Sequence, residues 1–323
     1  MGRTGLKLSV LSFGSWVTFH KQIEDGTADE LMGIAYDEGI NFFDNAEAYA
    51  LGESEKMMGR VLRKKGWDRT SYVISSKAFF GWRKPNKPNQ TGLSRKHLFE
   101  ACHEALQRLQ LDYLDLFFCH RPDPEVPIEE VVWTMHNLIQ QGKILYWGTS
   151  QWSGAEIMQA HRVAQQYGLI GPSMEQPQYN MFERFKVELD YLPVYRDAGL
   201  GTTIWSPLAA GFLTGKYLDG VPEDSRLAIK GFDWLKDRWL QEDKIEKLKK
   251  LVALAKKTGV SMASLAVAWT IKNPNVTTTI LGATKKEQLY DNLKALETVN
   301  KLTPEVMEEI EKILQNKPFL DLA

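Results

Sequence analysis

Eight apolar runs rich in Val, Ile, Leu and Phe, each followed by a segment of helical spacing, divide the 323 residues into repeated strand-and-helix units. The runs lie at residues 8–14, 40–45, 72–77, 113–119, 145–149, 173–178, 201–206 and 277–281. Near-continuous apolar strands separated by helices are the pattern of a parallel sheet covered on both faces. At about 150 residues per domain the length would suggest two domains. No Gly/Pro/Ser-rich linker divides the chain, however, and barrels of β/α units run from about 200 to over 400 residues as one domain. One α/β domain over residues 1–323 is therefore expected. Eight units are the inventory of a closed (β/α)8 barrel, although an open doubly wound sheet is built from the same units and the rhythm alone leaves it open.

The helices carry readable ends. Thr27 is placed to cap the first, Ser94 the third and Ser153 the fifth, while Gly39, Gly66, Gly142, Gly168 and Gly199 stand where helices end in a left-handed residue. Two connections exceed the others. Residues 79–93 begin with Phe79, Phe80 and Trp82 and then turn basic, proline-rich and polar; residues 209–243 carry Lys216, Arg226, Lys230, Trp234 and Trp239. Loops of this length are uncommon unless they serve a function, and in a barrel both would rise from the C-terminal rim, where sites are built.

Charge excludes one broad class. Forty basic and 41 acidic residues, a net charge of −1, supply no field for a polyanion, so a nucleic-acid partner is not expected and a small-molecule site is. Cys102 and Cys119 have no metal or disulfide spacing, no HxH follows the first strand, no HExxH occurs, and His97 and His103 fall on different faces of one helix; no metal is expected. The N-terminus lacks the apolar core of a signal peptide, no run of about 18 apolar residues could span a bilayer, and the myristoylation pattern fails at Leu6, so a cytoplasmic protein is expected. Two glycosylation-type triplets, at Asn89 and Asn275, are then chance.

A barrel interior is apolar, so ionisable residues at the ends of apolar strands need an explanation. INFF runs into Asp44 with Tyr49 in the next loop, YVISS runs into Lys77, and LDLFFC runs into His120. Any one of them fits a turn cap or a snorkelling side chain. Together at consecutive strand ends they form a carboxylate, phenol, ammonium and imidazole with complementary charge. Asp44 would hold Lys77 charged, the ammonium would lower the Tyr49 pKa from about 10, and His120 would orient a substrate oxygen. This set suits carbonyl reduction, in which an alkoxide develops and must be protonated. A hydride donor is then required, yet no GxGxxG or GxxxxGK[ST] motif is present. Later strand ends offer alternatives: Ser150 and Gln176 for a carboxamide, Trp205 as a flat face, and Gly282 with Thr284 at the start of the last barrel helix, where backbone N–H groups can receive a phosphate.

The ordered stretches FGSWVTF, INFFDNAEAYALGESEKMMG, SSKAFF, LDYLDLFFCHRPDP, YWGTS, WSPLAAGFLTGKY and TTILGATKKEQLYDNL resemble the motifs of the aldo-keto reductases over nearly the whole chain. WVTF, HRPDPEVPIEE, YWGTSQWS and KGFDWLKD resemble the branch that holds the potassium-channel β subunits and their microbial relatives. The resemblance implies a single (β/α)8 TIM barrel with a short N-terminal hairpin and long rim loops. It also implies reduction of a small carbonyl substrate by NADPH, with a catalytic tetrad of Asp44, Tyr49, Lys77 and His120. Carried over residue by residue, cofactor contacts fall on Trp16, Gln22, Asp44, Ser150, Gln176, Trp205, Ser206, Leu208, Lys216, Arg226, Gly282, Thr284, Gln288 and Asn292, with the 209–243 loop as a clamp. Trp16, Phe80 and Trp82 would line the substrate side.

Some positions depart from the pattern. His120 stands where animal channel subunits carry Asn, which keeps the reductase form; Ser15 and Asn45 are polar swaps with little at stake, while Gln151 and Asp224 bear on cofactor affinity and release rather than on the chemistry. The same resemblance leaves a second reading, a redox-sensing β-subunit-like protein that binds NADP(H) with weak or no turnover. A homo-oligomer, a tetramer in the channel-subunit case, follows from the same source.

Overall fold

A computed structural model describes residues 1–323 apart from residues 17, 20, 21, 224 and 320–323, so the departure at Asp224 lies outside the described residues. Eight parallel strands close into a barrel in sequence order: β1 (Leu11–Gly14), β2 (Phe42–Asp44), β3 (Val73–Ala78), β4 (Leu114–Cys119), β5 (Ile144–Thr149), β6 (Met174–Glu175), β7 (Gly201–Ile204) and β8 (Thr278–Leu281), with β8 pairing back onto β1. The closed form, not the open sheet, is thus adopted. β6 is shorter than its apolar run because Pro172 and Pro177 bracket it and lack the N–H a ladder needs.

Around the barrel lie α1 (Asp25–Asp37), α2 (Glu53–Lys65), α3 (Arg95–Leu109), α4 (Ile128–Gln140), α5 (Gly154–Tyr167) and α6 (Leu192–Ala198). α7 (Asp233–Trp239) sits inside the long connection after β7, and α8 (Glu242–Thr258) and α9 (Met262–Ile271) follow it before β8. α10 (Lys286–Leu293), α11 (Ala295–Thr298) and α12 (Pro304–Leu314) complete the chain. Ser94 and Ser153 cap α3 and α5 as expected, Ser153 in a reciprocal pair with Glu156. Thr27 does not cap: α1 begins at Asp25, so Thr27 lies within its first turn.

Strand parity decides what faces the interior. Phe42, Val73, Leu116, Phe118, Met174 and Ile280 form one apolar cluster, closed below by Met1, Leu6, Leu8 and Tyr146. The alternate residues Phe13, Phe43, Ile74, Phe117, Cys119 and Leu281 belong to the larger core between strands and helices. Two residues further along the interior parity stand Asp44, Ser75, His120 and Gln176, with Lys77 following Ser75. The barrel thus changes from apolar to polar over one interior layer, at its C-terminal end.

The segment before β1 is a turn and not a paired hairpin. Met1 N donates to Leu6 O at 2.7 Å, Thr4 Oγ1 to Met1 O at 2.7 Å, and Arg3 N to Gly199 O at 2.9 Å. Gly2 at φ +50° and the side-chain bond of Thr4 bend the chain too tightly for a second strand to pair. Among the described residues no single helix is long and apolar enough to cross a membrane.

Interior space is filled to the backbone at β5, where a Cβ on Gly148 would lie 2.3 Å from Met174 O and 2.7 Å from Met174 Cγ. Gly148→Ala is expected to destabilise the protein by about 1–3 kcal/mol, the usual cost of overpacking, in urea unfolding. An unchanged midpoint would contradict this packing.

Candidate active site

A cavity of about 680 Å³ opens where the strands end, and residues at or beyond the ends of all eight line it: Trp16, Asp44, Phe80, His120, Ser150, Gln176, Trp205 and Gly282. The volume is that of a site for a sizeable organic ligand. β3 also contributes from behind the wall through Lys77, which is fully buried.

Asp44 and Lys77 form the centre. Lys77 Nζ donates to Asp44 Oδ2 at 2.6 Å, to Asn45 O at 2.7 Å and to the Tyr49 hydroxyl at 3.1 Å. The other carboxylate oxygen, Asp44 Oδ1, accepts from Ser75 Oγ at 2.7 Å and Gln176 Nε2 at 3.0 Å. Burial pulls the Lys77 pKa down and the Asp44 charge opposes it. The three ammonium bonds are what make a fully buried lysine tolerable.

Tyr49 reaches this pair because the chain turns sharply after it: Ala50 (φ 48°) and Leu51 (φ 55°) both adopt the left-handed conformation that side chains disfavour. The phenol differs from expectation in one respect. Burial, followed by the Asp44 charge, raises its pKa well above the ordinary value, with Arg121 pulling the other way. The carboxylate that neutralises Lys77 also removes most of the ammonium's pull on the phenol, so Tyr49 is held protonated and not lowered towards neutrality.

His120 faces Tyr49 across the cavity, its ring 5.8 Å from the phenol ring, with Phe80 edge-on at 5.1 Å on its other side. Burial, then the charges of Lys77 and Arg121, push its pKa well below the usual imidazole value, so it is neutral. His120 Nδ1 is buried without a hydrogen-bond partner among the described residues. The loop bearing Phe80 is fastened by buried Glu47, whose Oε1 accepts from Phe79 N at 2.8 Å, Gly81 N at 2.9 Å and His97 Nε2 at 3.2 Å.

The later strand ends form the rest of the wall. Ser150 Oγ donates to Gln176 O at 2.8 Å, and Gln176 spends its amide N–H on Asp44, leaving its carboxamide oxygen without a protein partner among the described residues. With the Gln151 amide oxygen turned towards them, it accepts from Trp205 Nε1 at 3.1 Å and Gln178 N at 2.6 Å, which fixes the indole. Trp16 packs edge-on to Trp205 at 6.1 Å, and the Arg226 guanidinium lies 5.2 Å from the Trp16 ring. Arg226 has no carboxylate within ion-pair distance among the described residues, and burial lowers its pKa. Its Nη2 lies 3.8 Å from where a Gly282 Cβ would stand, so the guanidinium and the bare backbone of Gly282 share one corner of the cavity. Gln288 Oε1 accepts from Thr284 N at 2.9 Å in the same corner. A positive group with no counter-charge among the described residues, beside exposed backbone and a helix start, fits a phosphate, while the Gln176 acceptor, unpartnered among the same residues at the other end, fits an amide.

Of the residues expected at the site, Trp16, Gln22, Asp44, Tyr49, Phe80, His120, Ser150, Gln176, Trp205, Ser206, Leu208, Lys216, Arg226, Gly282, Thr284, Gln288 and Asn292 all line the cavity. Trp82 does not. Gly81 at φ +66° turns the chain outwards, and the Trp82 indole donates to Glu104 Oε2 at 2.5 Å while stacking with Arg83 and Arg108 on the outer helical face. Arg121, Ser261, Met262, Ala263 and Asp291 line the cavity without having been anticipated. Ser261 was discernible as a cap before an apolar run, since its Oγ accepts from Ser264 N at 3.0 Å.

The fold and site define a barrel with a polar, ligand-sized cavity at its C-terminal rim. The model of the Aldo/keto reductase family matches residues 10–315, and the chain belongs to that family. Membership supports oxidoreductase activity with a nicotinamide nucleotide. The chain is 48% identical over 319 residues to a protein of Oryza sativa subsp. japonica named "Probable voltage-gated potassium channel subunit beta", covering 98% of this chain and 96% of that one. A protein of Arabidopsis thaliana with the same name is 47% identical over 319 residues, with the same shares covered.

Replacing Asp44 by Ala would strand a fully buried ammonium and two hydrogen-bond donors. A loss of about 3–5 kcal/mol of stability is expected in chemical unfolding, as for other broken buried pairs. Wild-type stability in Asp44→Ala would contradict the charged pair.

Proposed function

We propose that this protein reduces aldehydes and ketones to alcohols, with NADPH as the hydride donor and Tyr49 as the general acid. The observation that carries the reading is the contact of the Tyr49 hydroxyl with Lys77 Nζ at 3.1 Å on the cavity wall, opposite a neutral His120. When bound, the nucleotide supplies a hydride to the carbonyl carbon. Everything else falls to the chain. Tyr49, held protonated by burial, gives its proton to the oxygen that gains charge. Lys77 stabilises the phenolate left behind, and Asp44 keeps Lys77 aimed. His120 donates a hydrogen bond to the same oxygen and orients it.

On this reading Ser150, Gln176 and Trp205 hold the nicotinamide end, and Trp16, Gln22, Ser206 and Leu208 line the middle. Lys216, Arg226, Gly282, Thr284, Gln288 and Asn292 hold the phosphates. Residues 209–243 act as a clamp, and 1–323 works as one reductase domain. Lys216 and Arg226 favour the extra phosphate of NADPH through charge-assisted bonds. Buried free thiols at Cys102 and Cys119 suit the reducing cytoplasm. A second reading, a regulatory subunit that binds the nucleotide with weak or no turnover, draws on the printed names of the rice and Arabidopsis relatives. The complete set of Asp44, Tyr49, Lys77 and His120 favours the enzyme, and nucleotide retained on the protein without turnover of any carbonyl would favour the subunit.

Tyr49→Phe is expected to lower turnover of 4-nitrobenzaldehyde by about 10²-fold or more, with NADPH affinity little changed, because a general acid contributes about 10²–10⁴. Since the phenol pKa is raised, its proton is present through neutrality, and wild-type reduction should decline only on the alkaline side, as the coupled Tyr49–Lys77 pair ionises. Full activity in the variant, or a decline centred below neutrality, would contradict the assignment. Changing Lys216 and Arg226 to Ala should raise the Kd of NADPH more than that of NADH in fluorescence titration; equal weakening would remove the basis for the preference.

A further inference from the structure

Arg121 has no place in the reading above. It follows His120 immediately, lines the cavity, and stands next to the tetrad, not at the phosphate corner that Arg226 and Gly282 share. One guanidinium nitrogen, Nη1, donates to the carbonyl of His120 and lies 3.5 Å from Ser150 Oγ. Among the described residues no carboxylate is within ion-pair distance and no hydrogen bond is made by Nε or Nη2. The guanidinium stands 5.5 Å from the Phe80 ring, the ring that packs on His120. Its charge reaches both Tyr49 and His120. Most arginines of this protein that approach burial are paired: Arg108 with Glu55 at 2.6 Å and Arg184 with Glu188 at 2.8 Å and Glu311 at 2.7 Å. A planar fork with open donors, aimed into a cavity beside the reacting groups, lacks its anion.

We infer that Arg121 is a specificity-determining residue that selects carbonyl substrates carrying a carboxylate, by pairing with that group while the carbonyl oxygen meets Tyr49 and His120. The inference rests on the carbonyl-reductase reading of the cavity. A carboxylate is favoured over a phosphate because a single guanidinium balances one negative charge, and a dianion would leave a surplus beside Asp44. Phe80 and the Trp16 indole supply apolar walls for the carbon skeleton between the two groups.

The test uses the NADPH-loaded protein with two matched pairs, 4-carboxybenzaldehyde against its methyl ester and succinic semialdehyde against its methyl ester, with glyceraldehyde 3-phosphate alongside. Wild type should prefer at least one acid over its ester in kcat/KM, and Arg121→Met should lower that acid-to-ester ratio by about tenfold or more through KM, with Arg121→Lys retaining part of it. Equal kcat/KM for acid and ester in wild type, an unchanged ratio in Arg121→Met, or a preference for the phosphorylated aldehyde over both acids would overturn the inference. A rise in the NADPH Kd as large as the rise in the acid's KM would also overturn it, by assigning Arg121 to the nucleotide. If no carbonyl turns over, the reductase reading fails on its own, and Arg121 is judged by binding of benzoate against benzamide, followed by tryptophan fluorescence. Tighter binding of benzoate that Arg121→Met abolishes would sustain an anion site, and equal binding of the two would end it.

Discussion

A lysine with no exposed surface, held 2.6 Å from an aspartate inside a barrel, is the interaction on which the rest of the structure depends. Removing both charges from water costs several kcal/mol per ion, so the pair survives only where geometry and further hydrogen bonds compensate. The barrel provides both. Asp44 and Ser75 are register partners on β2 and β3, which places the Ser75 hydroxyl and the Lys77 ammonium on the two oxygens of one carboxylate. On the outer face of β3 a second buried acid supports the strand: Glu55 accepts from Ser76 Oγ at 2.6 Å and from Arg108 Nε at 2.6 Å. The strand that presents Lys77 is thereby fixed from both sides.

This pair also divides the cavity electrostatically. Next to it the phenol is kept protonated and the imidazole neutral, so both face the cavity without formal charge. Away from it, Arg226 has no carboxylate within ion-pair distance among the described residues, at a corner with exposed backbone. A nearly neutral protein, at a net charge of −1, can still carry a local cationic corner, which in the function proposed above would take one phosphorylated ligand.

Most of this was legible in the sequence because strand parity is a strict rule. A near-continuous apolar run that ends in Asp44, Lys77 or His120 marks the rim, and parity counted along the strand gives the direction of the side chain. Gly148 and Gly14, small residues at interior positions, follow the same parity. What lay beyond the strands was less legible. Arg121 is one residue past the parity rule, in a loop whose direction depends on the fold. Trp82 read as part of the site because it continues the aromatic run of Phe79 and Phe80, yet the left-handed Gly81 reverses it. The Tyr49 pKa depends on the balance between an ammonium and a carboxylate at known distances, which composition and spacing do not contain.

In the proposed reaction a bound reduced nicotinamide gives a hydride, and Tyr49 a proton, to one carbonyl. Mixing the protein, loaded with one equivalent of NADPH, with excess 4-nitrobenzaldehyde in a stopped-flow instrument measures that event in a single turnover. Loss of the reduced-nicotinamide absorbance is expected in one phase within seconds, slowed in heavy water because the Tyr49 proton is in transfer. Absorbance that stays constant for hours while the aldehyde is bound would contradict it.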